Sequence, residues 1–70
     1  VSELRAEMVA TVLIVVAAEG STVAPGDTIV ILESMKMEIP VQAETAGVLT
    51  RLAVVAGQVV QQDDLLAVID

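Results

Sequence analysis

These seventy residues predict an all-β fold, and three observations carry that prediction. First, the apolar residues are aliphatic and rich in valine and isoleucine, with no Phe, Tyr or Trp. Such side chains are stiff at χ1 and fit a pleated surface. Second, Gly and Pro recur at intervals of about eight to twelve residues, the punctuation of many short strands in a sandwich or barrel. Third, the chain repeats itself. Displaced by 37 residues, Ala10 meets Gly47, Val12 meets Leu49, Gly20 meets Gly57, Val23 meets Val60, Asp27 meets Asp64 and Ile29 meets Leu66. One half runs over residues 8–33 and the other over 45–70, with residues 34–44 unmatched between them. Self-similarity at a fixed period marks one supersecondary unit used twice. We therefore expect two sheets related by a pseudo-two-fold axis, each half covering the other's apolar face. A chain this short buries only about 60 % of its unfolded surface, so neither half can build a core alone.

Each element follows from local pattern. Residues 1–8 alternate loosely around Glu3, Arg5 and Glu7 and predict a leading edge strand, because charges on an edge discourage pairing with other chains. Residues 11–16 are a β-branched run and predict a strand buried on both faces. Residues 17–21 are a tight turn. Pro25-Gly26 stands in the order that a type II turn wants at its central positions. Residues 28–32 form the next strand, followed by a Met-Lys-Met turn. Met37, Ile39 and Val41 then alternate with Glu38, Pro40 and Gln42, a half-buried strand by its period of two. Pro40 cannot donate to a ladder, which puts this strand on an edge or bends it there. Residues 43–47 turn, 48–55 form a strand with Thr50 and Arg51 as its polar positions, Gly57 turns the chain again, and 65–69 close it. Asp63-Asp64 falls at the repeat position of Gly26-Asp27 and reads as a turn in which Asp63 takes left-handed geometry. No apolar stripe at helical spacing competes with this reading.

Composition excludes several function classes. A net charge of −7 argues against nucleic acid or an anionic membrane surface as partners. The longest apolar run, residues 12–18, is far below the roughly 20 residues of a membrane-spanning helix. No basic start leads into an apolar signal core, so the expected location is the cytoplasm. With no Cys and no His, the chain lacks thiolate metal ligands, disulfides and the commonest general base. Ser21, Ser34 and Thr50 have no histidine to activate them as nucleophiles. The carboxylates Glu33, Glu38 and Glu44 match no oxygen-rich metal loop, and no metal site is expected.

What remains is Lys36, the only lysine, set in Glu33-Ser34-Met35-Lys36-Met37-Glu38. An arbitrary lysine is a solvated surface residue. This one sits at a hairpin, between two methionines, in the one segment without a repeat partner. By that symmetry the turn and the chain termini belong at opposite ends of the sandwich, with the turn protruding. Exposed methionine is not free. Met37 shares a face with Ile39 and Val41 and is expected to tuck back, whereas Met35 is left outward as an adaptable contact for a partner.

Glu33-Ser34-Met35-Lys36-Met37 resembles the attachment motif of biotinyl domains, Glu-Ala-Met-Lys-Met with serine common at the second place. Gly20, Val23, Gly26-Asp27, Ile39, Ala43, Gly47-Val48, Gly57, Val60 and the 65–69 strand also fall where that family puts its turns and core positions, so the resemblance covers nearly the whole chain. It is nearest to small stand-alone biotinylated proteins of actinobacteria. The resemblance implies a flattened β-barrel or sandwich of two four-stranded antiparallel sheets with pseudo-two-fold symmetry, formed by residues 1–70 as one domain. It implies biotin as cofactor, joined as an amide to the Lys36 amine by a biotin protein ligase using ATP. Glu33, Met35 and Met37 are then the residues that the ligase recognises. The implied partners are biotin carboxylase, which carboxylates a ureido nitrogen of the carried group, and a carboxyltransferase, which passes the carboxyl group on. The domain itself catalyses nothing and is expected to be a monomer.

The chain departs from the family pattern in three places. Ala10 stands where many relatives have glycine, and Ala6-Glu7-Met8 replaces Ala-Pro-Met. Residues 17–21 leave no room for the thumb of some bacterial carrier subunits. No Ala/Pro-rich linker precedes the domain, which leaves open a free-standing protein or a piece of a larger subunit. Two other readings share the fold: a lipoyl carrier, whose lysine usually lies in an Asp-Lys-Ala context, and an unmodified structural module.

Overall fold

The computed structural model describes all 70 residues. The chain forms eight strands: β1 (Ser2–Arg5), β2 (Ala10–Val15), β3 (Thr22–Val23), β4 (Thr28–Ser34), β5 (Met37–Gln42), β6 (Gly47–Leu52), β7 (Val59–Val60) and β8 (Leu65–Ile69). They build two four-stranded sheets, ordered β1-β8-β6-β3 and β5-β4-β2-β7, with every pairing antiparallel. The edge positions expected for the first strand and for the Pro40 strand are both observed. No helix is long and apolar enough to cross a membrane.

The repeat governs the architecture at the level of single hydrogen bonds. Gly20 donates its N–H to the Leu49 carbonyl at 2.7 Å, and Gly57 donates to Val12 at 2.7 Å. Gly26 donates to Ala43 at 2.9 Å, and Asp63 to Ala6 at 2.7 Å. In each of these two couples of bonds the donors lie 37 residues apart and so do the acceptors, and every bond joins a residue before the lysine hairpin to one after it. Even the irregularities repeat. The register of β2 on β4 shifts between Val12 and Ile14, and that of β6 on β8 between Leu49 and Arg51. Such bulges place an extra residue in one strand and sharpen its twist, which closes the two sheets over a shared core.

Four expectations are corrected. First, the halves are interleaved: each sheet takes two strands from each half, so neither half covers the other as a unit. Second, the repeat is longer than the side chains suggested. Ser2↔Ile69 in the β1–β8 pair is the image of Ile39↔Leu32 in the β5–β4 pair, so β1 is the mate of β5. The unmatched segment therefore shrinks from residues 34–44 to 34–37, the hairpin alone. Backbone pairing preserves this relation where side chains have diverged to Glu3 against Pro40 and Arg5 against Gln42. Third, residues 11–16 are not buried on both faces. Val12 is buried, but Leu13, Ile14 and Val16 are exposed, because the bulge turns Leu13 and Ile14 outward together. Fourth, the strand expected over 48–55 stops at Leu52, and residues 53–55 lead irregularly into the turn at Ala56-Gly57.

The core is the repeat seen from inside. Fifteen residues are buried and all are apolar. They come largely as images: Val12 with Leu49, Ile29 with Leu66, Val30 with Ala67, Leu32 with Ile69, Val23 with Val60, Ala6 with Ala43. No buried side-chain polar atom lacks a partner, so the core carries no desolvation penalty of that kind. The connection from β2 to β3 is as long as its image from β6 to β7, and it holds no thumb.

Candidate functional site

Strands β4 and β5 zip together through Leu32↔Ile39, Glu33↔Glu38 and Ser34↔Met37, leaving Met35 and Lys36 as a two-residue loop. Both loop residues have positive φ, 53° at Met35 and 65° at Lys36. A two-residue hairpin with positive φ at both positions is a type I′ turn, whose twist matches its strands and which normally calls for Asn-Gly. Met and Lys hold this conformation against a steric cost of roughly 1–2 kcal/mol per residue. Side chains that the backbone disfavours, kept at the tip of a regular hairpin, mark a place where the side chains matter for something besides folding.

The tip is open. Met35 is 92 % exposed and Met37 64 % exposed, and Lys36 is exposed as well. Met37 therefore does not tuck back as expected. It keeps the alternation of Ile39 and Val41, but it lies past the last buried row, Leu32 with its half-buried partner Ile39, and nothing there covers it. Glu33 and Glu38 are exposed and stand opposite one another, one residue pair below the turn. Neither engages Lys36. The one ion pair of the chain joins Arg5 to Glu3 at 2.8 Å, and Arg5 also donates to the Asp63 carbonyl at 2.9 Å. The structure thus brings together all four predicted residues, Glu33, Met35, Lys36 and Met37, on one hairpin, with the amine unpaired.

A groove of about 470 Å³ runs between the edge strands β1 and β5 over Leu4, Leu32, Ile39 and Val41. Lys36 does not line it. The amine thus stands on an open turn with no enclosing cavity and no side-chain partner. Sequence reading missed the exposed apolar side chains on the outer face of the same sheet, Leu13 and Ile14 among them. The repeat held the signal, since their images are Thr50 and Arg51, both polar.

Comparison with known proteins agrees with this geometry. Residues 2–69 match the family described as "Biotin-requiring enzyme". The "Biotinylated protein TB7.3 homolog" of Mycobacterium leprae (strain TN) is 54% identical over 67 residues, covering 96% of this chain and 94% of that protein. The "Biotin-dependent acyl-coenzyme A carboxylase alpha3 subunit" of the same organism is 52% identical over 64 residues, 91% of this chain but 11% of that subunit. The crystal structure of the Kluyveromyces lactis urea carboxylase superposes with a TM-score of 0.92 at 35% identity, over 99% of this chain and 6% of that one. With its interleaved repeat, its exposed lysine hairpin and a match over residues 2–69, the chain belongs to the biotin-requiring enzyme family.

Proposed function

We propose that this chain is a biotin carboxyl carrier that holds biotin as an amide on Lys36, with residues 1–70 acting as one biotinyl domain. The observation that carries the reading is the type I′ turn that places an unpaired, exposed amine at the tip of β4–β5. The residues present fit the group: amide formation requires a primary amine that a second protein can reach, and Lys36 is the only lysine. No carboxylate contact has to break before the amine is used. When bound, biotin supplies a ureido nitrogen that carries a carboxyl group between active sites.

The chain's own residues do the rest by position. It is a carrier and not a catalyst. The hairpin holds the attachment point clear of the body, and the lysine stem adds a flexible reach. Tethering keeps the carried group at high effective concentration for each site that it visits. Carboxylases are the partners that homology to carboxylase subunits indicates. A biotin carboxylase and a carboxyltransferase would load and unload the group. A biotin protein ligase would install it, reading Glu33, Met35 and Met37 beside the lysine. A charge of −7 opposes self-association, which fits a cytoplasmic monomer.

The test is intact mass after incubation of the purified chain with biotin, ATP and a biotin protein ligase. One biotinyl group is expected on the wild type and none on Lys36→Ala. An unmodified wild type, or equal modification of the variant, would overturn the reading. A lipoyl increment on material co-expressed with lipoate-attaching enzymes, in place of the biotinyl one, would move the chain to the lipoyl carriers.

A further inference from the structure

The outer faces of the two sheets follow one plan and carry different side chains. Across β2, β4 and β5, Ile14, Ile31 and Pro40 stand side by side in one row. The image row on the other sheet is Arg51, Val68 and Glu3. The contrast continues beside it, where exposed Leu13 and Val16 correspond to Thr50 and Ala53; in the next row it cancels, since Val59 and Thr11 correspond to Thr22 and exposed Val48. Ile14 is 50 % exposed. The fold accepts polar or smaller residues at the same positions, so folding does not demand the apolar ones. They lie on the sheet whose own strands carry Lys36, and the Glu33–Glu38 pair borders them on the side of the turn.

We infer that this face is the docking surface for the enzyme that modifies Lys36, a biotin protein ligase; the inference rests on the carrier reading above. Reach decides among the partners. The hairpin projects only the Ser34–Met37 pair and the two turn residues beyond the Thr11↔Glu33 pairing of β2, about 7 Å at the rise of a strand. The lysine stem adds about 6 Å to this, still less than the width of an interface, so an enzyme that brings reacting atoms to the amine comes up against the sheet. A standard interface covers about 800 Å² per partner, or roughly 28 Å across. Laid down from the hairpin tip along the sheet, such a footprint reaches past Ile31, which is four to five residues from the turn, about 15 Å. An enzyme that acts on the far end of a tethered group has no such need to touch the sheet. The apolar row is small, with Ile31 half-buried between Ile14 and Pro40, which suits a contact that must release its product. Its acidic border calls for a basic rim on the ligase.

The test is steady-state transfer of biotin to the full chain by a biotin protein ligase, with Ile14→Arg and the double variant Ile14→Arg/Pro40→Glu. These substitutions copy the residues found at the image positions, and thermal melts verify that the variants fold. The expected result is a fall in kcat/KM of about tenfold or more, expressed in KM with kcat nearly unchanged, while Arg51→Ile on the opposite face stays within about twofold. Equal kcat/KM for the face variants and wild type would overturn the docking face and leave the carrier reading intact, as would an equal loss in Arg51→Ile. No transfer to the wild type would overturn the carrier reading and this inference with it. If sedimentation shows a wild-type dimer that Ile14→Arg dissociates without changing kcat/KM, the face binds a second copy and the proposal fails.

Discussion

Gly26 and Asp63 occupy the same position of the same turn, once in each half of the repeat, with φ of 91° and 71°. Both turns are closed alike: Asp27 donates its N–H to Ala24 at 3.0 Å, and Asp64 to Gln61 at 3.1 Å. A carboxylate clasps each from outside, Asp27 accepting from Ala24 N–H at 2.9 Å and Asp64 from Gln61 N–H at 2.8 Å. The first copy meets the left-handed φ with glycine and the second with aspartate. Gly26→Val should therefore lose roughly 1–3 kcal/mol, although a Cβ there meets no atom within 4 Å. Asp63→Gly should gain up to about 1 kcal/mol by relieving the same strain. Urea unfolding measures both, and a neutral Gly26→Val would refute the conformational explanation.

The Lys36 turn should behave as a stability–function trade. Met35→Asn installs a residue that tolerates left-handed φ and should raise stability by about 0.5–1 kcal/mol. Biotin transfer to the same variant should slow, because the exposed methionine contact is gone. A variant both less stable and equally well modified would show that Met35 is there for folding.

Lys36→Arg keeps the charge at an exposed tip without an ion pair, so stability should change by less than about 0.5 kcal/mol. Biotin attachment should vanish, since a guanidinium offers no primary amine. A large drop in melting temperature would show that Lys36 supports the hairpin in a way the geometry lacks.

Ile29 and Leu66 are repeat images, both fully buried. Each alanine substitution should cost about 2–5 kcal/mol, and the two should agree within about 1 kcal/mol. In a domain of this size either loss takes most of the folding free energy. A mild effect in one and collapse in the other would mean that the pseudo-two-fold relates shape but not energetics.

Gly47 is limited by space. A Cβ placed there would lie 2.7 Å from the Asp70 carbonyl oxygen and 3.0 Å from the Ile69 Cγ2, beside a strand paired through Val48 and Asp70. Its image Ala10 is buried and does carry a Cβ, so the clash belongs to one copy only. Gly47→Ala should cost about 1–3 kcal/mol, read from a shift in the thermal transition.

The sequence by itself determined the all-β class, the edge positions of β1 and β5, the turns at Gly26 and Asp63, and the hairpin that carries Glu33, Met35, Lys36 and Met37. These depend on local rules, such as side-chain period, the missing N–H of Pro40 and the backbone freedom of glycine, and those rules act within a few residues. The repeat was legible wherever core side chains are conserved between the halves, as with Val12 and Leu49. It was lost between β1 and β5, where solvent-facing positions have diverged and the relation rests on backbone pairing and a few core residues such as Leu4 with Val41. Tertiary structure alone decided three matters: that the halves interleave, that bulges turn Leu13 and Ile14 outward, and that Met37 has no neighbour to cover it. Each depends on which strands lie alongside or across from a residue, contacts set by long-range pairing and invisible to any local pattern.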